Sequence, residues 1–148
     1  MTFKIPVSVL VVIHTPDKQV LLLERADHPG WWQSVTGSQN PGETLMETAI
    51  REVREETGLD AIAFKLSDWG YKNQYEIFEC YRHRYAPDIT HNTEHVFGLE
   101  VPSTIPVQLT PREHLDYLWL PAEAAAEKCF SPSNAEAILK LAIGKNNR

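Results

Sequence analysis

The sequence predicts an α+β fold, a mixed β-sheet with helices packed against it. Strand-like segments outnumber helical ones, the helices fall in the middle and at the end of the chain, and one early segment is apolar enough for a strand buried on both faces. In order, KIPVSVLVVIHT (4–15) is a strand rich in branched residues, closed by the turn PDKQ. VLLLER (20–25) is the doubly buried strand, and ADHPGWW is a loop punctuated by Pro and Gly. SVTGS (34–38) is a short strand. QYEIFECYRHRY (74–85), TEHVFGLEV (93–101), VQLT (107–110) and LDYLWL (115–120) are all strand-like. PAEAAAEKC (121–129) and SNAEAILKLAIG (133–144) are helical, and residues 60–73 carry no usable pattern.

At 148 residues, with 43% apolar and 23% charged residues, the chain is expected to form one globular domain over residues 1–148. No apolar run is long enough to cross a bilayer, and no basic-then-apolar leader opens the chain. Cys80 and Cys129 make neither a disulfide framework nor a metal knuckle, so a cytoplasmic setting with reduced thiols is expected. A net charge of −6 argues against a broad nucleic-acid or anionic-membrane surface. An anionic small substrate stays possible if divalent cations sit between it and the protein. The basic-aromatic run YRHRY (81–85) is too short to change this; it reads as a pocket wall or a strand end.

The chemistry concentrates in GSQNPGETLMETAIREVREETGL (37–59). NPG is a turn, Thr44 and Glu47 form a capping box, and Gly58 suits a left-handed helix end. A helix is therefore expected from Leu45 to Thr57, with Leu45, Met46, Ala49, Ile50 and Val53 as its apolar stripe. Glu52, Glu55 and Glu56 gather beside that stripe near the negative end of the helix. Mutual repulsion and the helix dipole both disfavour them there. A divalent cation reverses both terms, and oxygen-rich sites suit Mg²⁺ or Mn²⁺. Such cations neutralise a phosphoanhydride and lower the pKa of water, and a carboxylate can take the proton.

The spacing Gly37, five residues, Glu43, seven residues, then REVREETGL (51–59) resembles the Nudix box. The resemblance implies an α/β/α sandwich with a mixed sheet, a loop–helix–loop site, and hydrolysis of a diphosphate linkage. It implies that Glu52, Glu55 and Glu56 hold the cations, supported by Gly37 and by a Glu43–Arg51 ion pair. HPGWWQSVTGS, YRHRYAP, NTE, EHLDYLWL and SNAEAI further resemble the bacterial branch of that family acting on dihydroneopterin triphosphate in folate synthesis. That likeness implies that Glu113 completes the metal site and that Glu55, Glu56 and Glu113 are the catalytic carboxylates. Either Glu55 or a loop glutamate would serve as the base.

The same likeness implies substrate contacts at Lys4, Arg25, Thr36, the strand Tyr75, Glu76, Ile77 and Phe78, and Ser131. Other readings of these residues stand beside it: a solvated strand end for Arg25, a strand threonine at Thr36, core for one alternating pair of Tyr75–Phe78, and a helix cap at Ser131. Trp31 and Trp32 are candidates to stack a heterocycle, while Trp69 and Trp119 are assigned to packing. The expected activity is pyrophosphate release from dihydroneopterin triphosphate. Its alternatives are a general nucleoside triphosphate pyrophosphatase, a non-catalytic ligand-binding module, and an acidic-helix interaction protein. The residues leave monomer and dimer equally open.

Overall fold

A computed structural model describes residues 2–144; Met1 and residues 145–148, the ends of the expected domain, lie outside them. The strands are β1 (Val7–His14), β2 (Gln19–Arg25), β3 (Trp32–Gln33), β4 (Val35–Ser38), β5 (Lys65–Glu76), β6 (His91–Glu100) and β7 (His114–Pro121). The helices are α1 (Leu45–Thr57), α2 (Ala122–Lys128) and α3 (Pro132–Ala142). The strands form a seven-stranded sheet in the order β3-β2-β1-β6-β5, with β4 also paired to β1 and β7 to β2. β1 and β6 run parallel, and the other pairings are antiparallel, so the sheet is mixed as predicted.

Alternation along β1 and β2 explains the sandwich. Val9, Val11, Ile13, Leu21 and Leu23 point to one face, where Ala49 and Val53 of α1 close the core. Leu10, Val12, Val20 and Leu22 point to the other, against Ala125 and Ala126 of α2 and Ile138 and Leu141 of α3. Val20 to Leu23 are at most 2% exposed, which is why VLLLER reads as a continuous apolar run. Trp69 and Trp119 are packing residues: Trp69 lies so close to Gly98 that a Cβ there would meet its ring, and Trp119 donates to the Ile105 carbonyl at 3.1 Å.

Three expectations are corrected. The segment 77–85 is not a strand: β5 stops at Glu76, and Glu79–Arg84 is a 3₁₀ helix. VQLT forms no strand either. Gln108 donates its backbone N–H to Thr57 O at 2.9 Å, and Thr110 Oγ1 donates to Glu55 O at 2.7 Å. The segment is thus held by the unpaired carbonyls at the end of α1 instead of by a strand neighbour. Met46, assigned to the apolar stripe, is 39% exposed, because it sits in the first turn at the outer edge of the buried face. Residues 60–73, unread in the sequence, make a 3₁₀ turn at Ala61–Ala63 and most of edge strand β5.

Candidate active site

The segment before α1 is locally determined. Gly42 turns the chain with φ of 81°. Thr44 caps the helix by accepting from Glu47 N, Glu47 reciprocates on Thr44 N, and Gly58 ends the helix at φ 75°. Arg51 ties the two halves together. Its Nε and Nη2 donate to the Glu43 carboxylate at 2.6 and 3.0 Å, and Nη2 also reaches Ser38 O at 2.9 Å. Glu43 further accepts from Asn40 N and Thr48 Oγ1, and Arg51 foremost holds its pKa down at about 2. The expected Glu43–Arg51 pair is present.

Gly37 works through the Glu52 side chain. It lies in β4, opposite Val9 of β1, and a Cβ at this position would collide with the Glu52 carboxyl. Only a residue without a side chain lets that carboxyl lie flat on the strand. Glu52 is 9% exposed and accepts from Arg51 Nη1 at 2.8 Å. Glu56 is 3% exposed, and its Oε1 has no hydrogen-bond partner. Burial, then the neighbouring Glu52 charge, pushes the Glu56 pKa well up; burial raises that of Glu52 as well. His114 Nε2 stands 3.9 Å from Glu56 Oε1, but desolvation lowers the His114 pKa to about 4, so it is neutral at pH 7 and supplies no counter-charge.

Two buried carboxyls side by side, one with an orphaned oxygen, fit a divalent cation better than they fit any protein partner present. Glu55 is half-exposed and turned toward Arg51 Nη1 at 3.3 Å. Glu113 is exposed on the loop before β7. Both line the same cavity as Glu52 and Glu56. Among the described residues no three acidic or imidazole groups already surround one point, so a cation held by Glu52 and Glu56 would draw further oxygens from water, from substrate, or from Glu55 or Glu113.

The cavity measures about 490 Å³, within the usual range for small-molecule sites. The cavity gathers cations from distant segments: Lys4 and Arg25, the expected substrate contacts, Arg84 of YRHRY, which serves as a pocket wall, and Arg112, for which the sequence carried no expectation. Arg25 is fixed by Asp27 through two contacts of 2.8 Å and by Gln33 Oε1 at 3.0 Å, with Tyr81 under its guanidinium at 4.7 Å. Lys4 is held by its backbone N–H on Arg84 O at 2.8 Å.

Farther along, the floor is sheet: Ser8, Leu10, Thr36, Tyr75, Asn92 and Glu94. Thr36 lines it, although its hydroxyl is spent on Val9 O at 3.0 Å. Ile77, Phe78, Phe130 and Ser131 form the walls. Ser131 occupies the position before α3 but makes no side-chain cap; its hydroxyl meets Ser133 Oγ at 3.1 Å. Tyr75, Ile77 and Phe78 thus meet in one cavity because the strand ends after Glu76. Glu76 does not join them: it is exposed and paired with Arg82. Trp31 is not a free stacking surface, since His28 and Phe130 stack on it at 4.0 and 4.4 Å. Trp32 is buried under Lys128. Asn92 and Glu94 had no distinguishing sequence signal, because they fall within the polar stretch HNTEH (91–95).

The NUDIX domain family matches residues 4–141. Dihydroneopterin triphosphate diphosphatase of Escherichia coli is 48% identical over 144 residues, covering 95% of each chain. The protein of that name from Haemophilus influenzae is 47% identical, covering 95% of this chain and 89% of its own. The solved E. coli dihydroneopterin triphosphate pyrophosphohydrolase superposes with a TM-score of 0.91 at 47% identity, covering 97% of this chain and 99% of that one. Nudix hydrolases generally need a divalent metal, which accords with the buried carboxyl pair and its one unpartnered oxygen. With the glycine, ion pair and acidic helix of residues 37–59 assembled on an α/β/α sandwich, this chain belongs to the Nudix hydrolase family.

Proposed function

We propose that this chain is a cytoplasmic, Mg²⁺-dependent, single-domain pyrophosphohydrolase that cleaves 7,8-dihydroneopterin triphosphate to dihydroneopterin monophosphate and pyrophosphate. The observation that carries the chemistry is the buried Glu52–Glu56 pair with its unpartnered oxygen, opening into a cavity that also holds Lys4 and Arg25. The substrate follows the names of the E. coli and H. influenzae relatives. Glu52 and Glu56 would hold the cation, with Glu55 and Glu113 completing its shell; Mn²⁺ suits the same oxygens. Bound there, the cation offsets phosphate charge and makes water a better nucleophile. Lys4 and Arg25 orient the phosphate chain. Glu55 or Glu113, both exposed enough to move, takes the proton from the attacking water.

A second reading is a general nucleoside triphosphate pyrophosphatase, favoured by the fact that the cationic end touches only what all triphosphates share. One assay separates the two. Pyrophosphate and phosphate release are measured on pterin, purine and pyrimidine triphosphates, with EDTA and then with Mg²⁺ or Mn²⁺ restored. The expected result is pyrophosphate release, lost in EDTA and regained with either metal. The pterin substrate should exceed deoxynucleotides by roughly tenfold or more in kcat/KM. Full turnover in excess EDTA overturns the metal assignment, and equal kcat/KM across substrates overturns the pterin one.

A further inference from the structure

Glu94 is the buried carboxylate that the hydrolytic chemistry leaves unused. It is 4% exposed, yet it lines the cavity. In the sheet it is registered with Ser8 of β1, and Ser8 is registered in turn with Ser38 of β4. Two strand spacings, roughly 10 Å, therefore separate it from β4, against whose Gly37 the carboxyl of Glu52 from α1 rests. That is about the distance from a phosphate to the far edge of a heterocycle. The walls beside it are apolar and aromatic, with Phe78 and Phe130 edge-to-face at 5.5 Å.

Acceptor positions at this end stay open. Glu94 Oε1 accepts from Ser133 Oγ at 3.0 Å, and Asn73, its cross-strand partner on β5, brings a buried Nδ2 with no other partner beside it; of about four acceptor positions on a carboxylate, two or more stay open. Burial raises its pKa, while Ser133 and Asn73 oppose that shift. Asn92, two residues earlier on the same face, is 1% exposed. Its Nδ2 donates to Ser8 Oγ at 2.8 Å and Tyr75 Oη at 3.1 Å, which leaves Oδ1 buried with no partner. A buried carboxylate and a buried orphaned carbonyl, side by side on a cavity floor, ask for a ligand rich in N–H groups.

We infer that Glu94 reads the heterocycle, accepting two parallel hydrogen bonds from adjacent ring N–H and exocyclic NH₂ donors of a 2-amino-4-oxopyrimidine edge, with Asn92 Oδ1 as a further acceptor. Pterins and guanine share that edge. Adenine presents an acceptor where the edge needs a donor, and hypoxanthine lacks the amino group. This rests on the reading of the site as a triphosphate hydrolase and narrows the class of ring it accepts. The competing role is structural: Glu94 meets Ser133 in the first turn of α3, where a carboxylate also complements the helix dipole. The two roles differ in what a neutral isostere does.

The test is kcat/KM for dihydroneopterin triphosphate, dGTP, dITP and dATP, in the wild type and in Glu94→Gln, with Mg²⁺. In the wild type dGTP should exceed dITP by about tenfold or more, the scale of one hydrogen bond to a buried charged group. Glu94→Gln trades one acceptor for a donor. It should lower kcat/KM for the pterin and dGTP by about thirtyfold or more, mostly through KM, collapse the dGTP/dITP ratio below about threefold, and raise dATP relative to dGTP. An equal loss on all four substrates means a structural role and overturns the inference, as does an unchanged dGTP/dITP ratio. Should Glu94→Gln fail to fold, Glu94→Asp carries the test: losses confined to the pterin and dGTP support the inference, and uniform losses refute it. A wild type that prefers dGTP to the pterin would sink the proposed substrate while leaving Glu94 to be judged on the dGTP/dITP ratio.

Discussion

Glu56 and Glu94 are the same residue type, 3% and 4% exposed, in one cavity, and their surroundings differ in kind. Glu56 sits against a second buried carboxyl and a neutral histidine, with one oxygen unpartnered. Glu94 sits among hydroxyls, an amide and aromatic rings, with Ser133 already donating to it. Burying a carboxylate is unfavourable in both places, and in neither do the protein's own partners fill all of its acceptor positions. Beside Glu56 the local charge asks for a cation. Beside Glu94 the local geometry asks for directional N–H donors. One pocket thus separates what every triphosphate has from what only some rings have.

The contrast is broken most forcefully at Glu56. Glu56→Gln should lower kcat by about a hundredfold or more on every substrate alike, the scale of lost metal or acid–base help. Thermal melting of this variant without metal should hold or rise, because burial and the Glu52 charge disfavour the ionised carboxylate that the neutral amide replaces. A substrate-selective loss, or an unchanged kcat, would erase the distinction between the two ends.

Gly37→Ala should come next. The added methyl displaces the Glu52 carboxyl without touching its chemistry, and a misplacement of about 1 Å costs roughly tenfold to a hundredfold in rate. Steady-state kinetics should show the loss in kcat for all triphosphates, with the ratio between them preserved. Wild-type kinetics in this variant would mean that the glycine serves something other than Glu52.

The smallest effect is expected at Glu43, which supports the box end without facing substrate. Its folded pKa is about 2, depressed chiefly by the Arg51 hydrogen bond, against an unfolded value near 4.5. A depressed carboxylate contributes stability that is full above the unfolded pKa and is lost as pH falls through the folded one. Glu43→Gln should therefore lower stability by about 2 kcal/mol at neutral pH. The gap in melting temperature from wild type should shrink between pH 5 and pH 2. A gap independent of pH would mean that packing, not charge, carries the residue.

The part of the molecule built from neighbours in the chain is legible without the fold. The turn at Gly42, the Thr44–Glu47 box, the bounds Leu45–Thr57 and the Gly58 cap all depend on contacts within a few residues, so spacing alone reveals them. The continuous apolar run of β2 likewise marked a strand buried on both faces, and the count and order of strands and helices pointed to the mixed sheet. Tertiary structure decided the rest, because it depends on meetings between residues far apart. Only the β1–β4 pairing shows that Gly37 is a glycine for the sake of Glu52. YRHRY alternates like a strand, yet in a 3₁₀ helix residues three apart eclipse, and Arg84 lies over Tyr81 at 4.7 Å. Either pattern satisfies the same letters. The choice falls to the cavity that Tyr81 and Arg84 line with Lys4 and Arg25. Asn92 and Glu94 belong to the polar stretch HNTEH (91–95), and nothing singles them out until the register sets them beside Tyr75 and Ser8. A residue's partners across a sheet are fixed by how the whole sheet folds, and no local spacing encodes them.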